Sequence, residues 1–195
     1  MSIFRITKFF FIIIFSLCLF SNKLIADWDK FSSKPGEFSV LMPCQPQLKS
    51  KVDQTIVGKI VEHTYSCKKD SINFVLEYQD LPPLAVDLGT RRRIYRNAQK
   101  AFLKEIKGEE ISSKTVNLKN FPGVELTYKT KQEFGQARFF LVGKRLYVLQ
   151  ISGSHNADQS CFAKYLKSFN QKHRKLFKPA RKFNKYHHLQ SQHLH

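Results

Sequence analysis

Apolar and polar positions divide the chain into strands and two helices. Residues 72–78 alternate between apolar and polar side chains, which is typical of a strand with one buried face. Similar patterns predict further strands over residues 38–42, 56–67, 111–118, 124–130, 137–142 and 146–152. A hairpin is expected at 68–71, and turns at 120–123, 133–135 and 143–144, where Gly, Pro or Asn occur.

Two segments have helical spacing instead. In residues 87–107 the apolar side chains recur at helical offsets, and Gly108 follows where a helix end favours a positive φ. Near the end of the core, one helix face is formed by Phe162, Tyr165, Leu166 and Phe169. Strands, a helix, more strands and a last helix predict the α+β class, with an antiparallel β-sheet flanked by helices.

The first 26 residues have the organisation of a signal peptide. Arg5 and Lys8 precede an apolar stretch at residues 9–20, and Ala26 offers a small residue for cleavage. The apolar stretch is shorter than the ~20 residues needed to cross a bilayer. We therefore expect an extracytoplasmic protein, periplasmic or secreted, that begins at Asp27. Leu24 is larger than the usual residue before a cleavage site, so an uncleaved N-terminal membrane anchor stays open as the alternative.

Export places three cysteines in an oxidising compartment, where disulfides persist. Cys44 and Cys67 each follow or end a predicted strand, so these two are the preferred pair and Cys161 is expected to be free. Three reduced, buried thiols are the alternative. No Cys or His spacing matches a structural zinc module.

The core carries no recognised catalytic motif. It has no Walker loop, dinucleotide fingerprint or H-E-x-x-H sequence, so we expect no cofactor and name no catalytic residue. Arg91, Arg92 and Arg96 lie together in the first predicted helix and could bind an anion, since guanidinium groups match phosphate and carboxylate geometry. A solvated basic helix face is the alternative for these arginines.

Several segments resemble one known family. These are residues 28–43 (WDKFSSKPGEFSVLMP), 121–125 (FPGVE), 146–153 (LYVLQISG) and 167–169 (KSF). They are similar to the PsbP-like proteins, small exported α/β/α sandwiches related to an extrinsic photosystem subunit, and the resemblance covers residues 28–169. It implies the sandwich fold and a largely non-enzymatic role. None of the family's functional positions matches this chain, so photosystem binding does not carry over.

The C-terminal segment, residues 171–195, is strongly basic. It has seven Lys or Arg residues, no acidic residue and five of the seven histidines, whereas the whole chain has 33 Lys and Arg against 15 Asp and Glu. Aromatic residues punctuate the segment, as in chains that lie on anionic membranes. Its cationic residues are Lys172, Arg174, Lys175, Lys178, Arg181, Lys182 and Lys185.

Three interpretations of this tail stay open. The tail could be a disordered, solvated extension, or it could attach the protein to an anionic surface. A third interpretation is metal capture by His187, His188, His193 and His195, although a His-rich end without fixed geometry selects no particular metal.

Together these observations predict one α+β domain at residues 27–170 that acts as an exported, non-enzymatic binding or accessory module. Its expected partner is an anionic membrane surface or acidic polymer, bound through the tail, or another protein; no specific nucleic acid is indicated. The sequence does not indicate an oligomeric state. An exported hydrolase-like enzyme with an unrecognised site, and a metal-binding role of the tail, are the competing functions.

Overall fold

The computed structural model describes residues 28–55, 58–87 and 89–172. Within these ranges the chain forms ten strands and three helices. The strands are β1 (Asp29–Ser33), β2 (Phe38–Met42), β3 (Gln47–Thr55), β4 (Gly58–Lys69), β5 (Ile72–Asp80), β6 (Glu109–Leu118), β7 (Phe121–Lys129), β8 (Glu133–Val142), β9 (Arg145–Ser154) and β10 (Asn170–Gln171). The helices are α1 (Pro83–Asp87), α2 (Arg91–Ile106) and α3 (Ser160–Ser168).

The strands form two antiparallel sheets. The large sheet has seven strands in the order β3-β4-β5-β9-β8-β7-β6, and the small sheet has three in the order β1-β2-β10. Every strand pair is antiparallel. Helix α2 packs on β7 and β8, whereas α3 packs on β2 and β9. The prediction of an α+β fold with an antiparallel sheet flanked by helices is confirmed.

A hydrophobic core lies on each face of the large sheet. On one face, Tyr95 and Phe102 of α2 pack on Leu126, Phe139 and other strand residues. On the other face, the small sheet and α3 cover the remaining apolar side chains. That core includes Phe38, Val40, Met42, Phe74, Leu76, Tyr147, Ile151, Phe162, Tyr165 and Leu166. The central strands β8 and β9 are apolar on both sides because both of their faces are covered.

Several predicted elements are confirmed with shifted ends. The alternating segment forms β5, whose even-numbered residues from Ile72 to Tyr78 are buried while their neighbours are only partly buried. The hairpin between β4 and β5 turns at Asp70 and Ser71, which both have positive φ. The predicted strand at 56–67 begins at Gly58 within the described residues, since positions 56 and 57 lie outside them.

Other expectations were wrong. Residues 121–123 belong to strand β7, and the turn before them is at Lys119, which has a positive φ, and Asn120. Residues 133–135 likewise begin β8 instead of forming a turn. At the end of α2 the left-handed residue is Lys107, with φ 52°, and its N–H bonds to the Lys104 carbonyl.

The last helix is also not the last element, since β10 follows it and pairs with β2. Strands β1 and β3 and helix α1 were not predicted at all. No helix in the described part of the chain combines the length and apolar character needed to span a membrane.

Candidate anion-binding groove on helix α2

Helix α2 is fixed to the large sheet by its buried side chains. It begins after Thr90, whose side-chain oxygen accepts a hydrogen bond from the Arg93 N–H at 3.3 Å and so caps the helix. Tyr95 points into the sheet, where its hydroxyl donates to the Pro122 carbonyl at 2.6 Å and accepts from the Leu141 N–H at 2.9 Å. Burial raises the pKa of Tyr95, so the phenol stays protonated and keeps both bonds at neutral pH.

A groove of about 510 Å³ runs between the first half of α2 and strands β6 and β7. The helix contributes Arg91, Arg92, Tyr95, Arg96 and Gln99, and the strands contribute Ser113, Lys114, Thr115, Pro122, Gly123 and Val124. The Gln99 amide reaches across to the Ser113 hydroxyl at 3.3 Å. The three arginines that the sequence singled out therefore line one groove, together with hydroxyl groups of a neighbouring strand.

The strand residues of the groove could not be identified from local sequence. Ser113 and Thr115 meet α2 because β6 pairs with β7 and alternates its side chains between the two faces of the sheet. The spacing of Ser113 and Thr115 places both hydroxyls on the same face of strand β6. Which face that is, and that α2 covers it, becomes known only from the order of the strands in the sheet.

The groove is rich in unpaired positive charge. Arg91, Arg92 and Arg96 are exposed, and none of them forms an ion pair within the described ranges. The Lys114 ammonium is different because it bonds to Glu125 at 2.8 Å.

Glu125 lies on the opposite face of the sheet, where it is buried and also bonds to Arg138 Nε at 2.6 Å. The Arg138 guanidinium in turn donates to the Leu166 carbonyl of α3 at 3.0 Å, which ties this charge cluster to the other side of the molecule. Burial alone would raise the pKa of Glu125, but its bonds to Lys114 and Arg138 outweigh burial and lower it. The Glu125 charge is therefore used on that face and does not neutralise the arginines of the groove.

A second cavity of about 540 Å³ is lined by residues of β3, β4, β5, β9 and β8, together with Cys44 and Gln45. Its lining is mainly amides and hydroxyls, with the Glu133 carboxylate accepting hydrogen bonds from Asn73 at 2.9 Å and Ser152 at 2.8 Å. Neither this lining nor that of the groove includes a histidine that could activate a hydroxyl nucleophile. The side chains that line these two surfaces can donate and accept hydrogen bonds and bind charged groups.

The predicted disulfide is present. Cys44 and Cys67 are bonded with their Cα atoms 6.0 Å apart, and Cys161 is a free, partly buried thiol. The bond joins the segment after β2 to strand β4, so it links the small sheet to the large one. Both cysteines also border the second cavity.

Most of the predicted tail site lies outside the described residues. Lys172 is described, and its N–H donates to the Glu37 carbonyl at 2.7 Å. The tail cations from Arg174 to Lys185 and the four histidines proposed as metal ligands follow the last described residue. Within the described ranges, no group of three or more His, Cys, Asp or Glu side chains is arranged to hold a metal ion.

An acidic cluster on the α2 face was not anticipated. Glu77 of β5 is partly buried beside Glu62 of β4 and Glu105 of α2. Burial, with a smaller contribution from these two carboxylates, raises the pKa of Glu77 to about 7. Alternation along β5 marks Glu77 as a polar-face residue, but the approach of α2 to that face is not visible in the sequence.

Comparison with solved structures shows which known fold the chain resembles. No protein-family model and no curated protein sequence matches the chain. Among solved structures, the chain is similar to the cyanobacterial PsbP protein CyanoP from Synechocystis sp. PCC 6803, with a TM-score of 0.54 and 14% identity over 77% of this chain and 96% of that one. A protein from Bacteroides thetaiotaomicron VPI-5482 aligns with a TM-score of 0.42 and 11% identity, over 75% of this chain and 49% of that one. At 14% identity the likeness to CyanoP concerns the fold, which is PsbP-like as the sequence resemblance implied.

Proposed function

We propose that this protein is an exported, non-enzymatic accessory module that attaches to an anionic surface through helix α2 and the basic tail. One observation carries the proposal. Helix α2 has six Lys or Arg side chains against one acidic residue, Glu105, and none of the six forms an ion pair within the described residues. Its cationic residues are Arg91, Arg92, Arg93, Arg96, Lys100 and Lys104.

The packing of α2 directs this charge outward. Tyr95 and Phe102 turn one side of the helix into the core, so the cationic residues are held on a rigid, exposed surface. Clustered positive charge of this kind attracts anionic surfaces, and salt weakens the attraction by screening. The PsbP-like fold is compatible with an accessory role, and the signal-like leader and the disulfide both support export.

The experiment is co-sedimentation of the chain from Asp27 onward with vesicles of phosphatidylglycerol or of neutral phosphatidylcholine. We expect the protein to bind to the phosphatidylglycerol vesicles alone. Binding should decrease as the salt concentration rises from about 50 to about 500 mM, because this shortens the Debye length from about 14 Å to about 4 Å. Equal sedimentation with both lipids, or the same binding across the salt series, would overturn the proposal.

A further inference from the structure

We propose that the groove between α2 and strands β6 and β7 is a specific binding site for a phosphate group. This inference deepens the proposed function, because the groove lies on the same helix, but it concerns a defined pocket instead of the overall charge. The phosphate could be free or could belong to a lipid headgroup, and both sources present the same oxygens to the groove.

The arrangement of charges favours phosphate over a single carboxylate. Three guanidinium groups, those of Arg91, Arg92 and Arg96, line the groove without an acidic partner among the described residues. A phosphate dianion offers more charge and more acceptor oxygens than a carboxylate, and guanidinium groups bind its oxygens in pairs. Several unpaired arginines are therefore better matched by phosphate.

Other groups of the groove complete the donor set. The hydroxyls of Ser113 and Thr115 lie on the strand wall, and Arg91 and Arg92 belong to the first turn of the 16-residue helix, where the Arg93 N–H is already bonded to Thr90. Helix N-termini favour anions because their N–H groups lack intrahelical acceptors. The volume of about 510 Å³ is within the usual range for small-molecule sites, so the groove has room for more than a bare phosphate ion.

The floor of the groove is apolar and rigid. Tyr95 and Val124 belong to the core on this face of the sheet, and the Tyr95 hydroxyl is fixed by its bonds to Pro122 and Leu141. A binding site is more selective when the side chains that form it are held in place by packing. Arg92, Arg96 and Gln99 follow one another along the helix at the spacing that keeps them on this side.

The helix also offers a matched control. Arg93 and Lys100 carry the same charge as Arg92 and Arg96 and are also exposed, but they do not line the groove. The variants R92Q/R96Q and R93Q/K100Q therefore remove two charges each from the same helix. Circular dichroism and thermal melting would establish that both variants keep the fold.

The test has two parts. First, inorganic phosphate is titrated into the chain from Asp27 onward by calorimetry, with acetate as the carboxylate probe. We expect R92Q/R96Q to weaken phosphate binding by about tenfold or more, a loss of at least about 1.4 kcal/mol, because two of the three guanidinium groups that line the groove are removed. We expect R93Q/K100Q to change it by less than about twofold. Equal losses in the two variants, no phosphate binding by the unmodified chain, or acetate binding as tight as that of phosphate would overturn the site.

Second, vesicles of phosphatidic acid and phosphatidylglycerol are compared at the same surface charge. A preference for phosphatidic acid that R92Q/R96Q abolishes identifies a lipid headgroup as the source, whereas equal binding of both lipids, with phosphate binding retained in calorimetry, identifies free phosphate. The phosphate site can fail while the proposed surface attachment stands. In that case phosphatidylglycerol binding would fall equally in R92Q/R96Q and R93Q/K100Q, because only the total charge of α2 would matter.

Discussion

The pKa of the Glu77 carboxyl group is well above that of an exposed glutamate. Burial, together with smaller contributions from the charges of Glu62 and Glu105, raises its pKa from 4.5 to about 7. In the unfolded chain the pKa returns to its ordinary value. Folding therefore favours the protonated form, and the ionised form costs stability wherever the folded protein has to carry it.

We expect Glu77→Gln to stabilise the protein at high pH. Below pH 4.5 the group is protonated in both states and has no effect. Between pH 4.5 and 7 stability falls as pH rises, because the unfolded chain loses the proton first. Above pH 7 the full cost of about 3 kcal/mol applies. Urea unfolding at pH 4 and pH 8 measures this.

Glu105→Gln is the control for that experiment, because Glu105 is exposed and makes a smaller contribution to the Glu77 pKa. It should show the same trend with a much smaller gain at pH 8. A Glu77→Gln variant no more stable than the unmodified chain at pH 8 would show that the carboxylate is better solvated than its burial indicates.

The disulfide is the second feature whose effect can be measured residue by residue. Cys44 and Cys67 close a loop with a sequence separation of 23, and the chain-entropy relation gives about 3 kcal/mol for a loop of this size. We expect C44S/C67S to lower the free energy of unfolding by about that amount in urea titration. Cys161→Ser, which removes no disulfide, is the control and should cost less than about 1 kcal/mol.

At the scale of elements, Arg145 joins the small sheet to the large one. Its guanidinium bonds to both carboxylate oxygens of Asp80, at 2.7 and 3.0 Å, and to the Pro35 carbonyl in the turn between β1 and β2 at 2.8 Å. It also lies over the Tyr78 ring at 4.9 Å. The Tyr147 hydroxyl donates to the Gly36 carbonyl at 2.9 Å, so neighbouring residues of β9 hold the same turn.

We expect Arg145→Lys to destabilise the protein by about 2–3 kcal/mol, although it keeps the charge. A lysine ammonium cannot make the paired bond to Asp80 and reach Pro35 at the same time. Chemical unfolding gives the free energy, and hydrogen exchange should show faster exchange in β1 and β2. Lys144→Ala serves as control, because Lys144 is exposed and 4.0 Å from Asp80, and a loss as large as that of Arg145→Lys would contradict this assignment.

The elements that the sequence predicted are those with one face, or both faces, packed in the hydrophobic core, because such packing leaves a regular pattern of apolar residues. Strand β5 has a strict alternation because one of its faces packs on the core, and α3 has a continuous apolar stripe for the same reason. Strand β3 lies at the sheet edge with seven of its nine residues exposed, so no pattern marks it. Residues 121–123 looked like a turn, but Gly123 is a strand residue where a Cβ would overlap the Phe140 ring.

Only part of the candidate groove was predictable from the sequence. The arginines of α2 were visible as charge, since a helix places neighbouring residues on known faces. Their strand partners Ser113 and Thr115 were not, because the contact depends on which strands pair and on which sheet face the helix covers. Pairing between segments that are distant in the sequence produces no recognisable pattern in either segment.

At the scale of the whole molecule, positive charge is unevenly distributed. Of the 33 Lys and Arg residues, three lie in residues 1–26 and seven in residues 171–195, which leaves 23 against 15 acidic residues in the domain between them. Of these three regions, the tail has the highest density of cationic groups, without any acidic residue to offset it. Each Lys or Arg near an anionic membrane contributes up to about 1 kcal/mol, so the tail is expected to dominate surface affinity.

Five of the seven histidines lie in the tail, so we expect the tail to give surface attachment most of its pH dependence. Residues 173–195 carry six Lys or Arg and five histidines, so acidification through about pH 6.5 raises their side-chain charge from +6 toward +11. Binding to phosphatidylglycerol vesicles should therefore strengthen from about pH 7.5 to about pH 5.5. A chain ending at Lys172, which keeps β10 intact, should bind more weakly and respond less to pH.

A variant with the five tail histidines changed to glutamine separates charge from tail length. It should bind as the unmodified chain does at pH 7.5, where most of its histidines are neutral, and should fail to gain affinity at pH 5.5. Co-sedimentation at two salt concentrations completes the test, because binding by charge has to weaken with salt at either pH. If the chain ending at Lys172 bound as well as the longer one, the cationic face of α2 alone would account for attachment, and the tail would be a solvated extension.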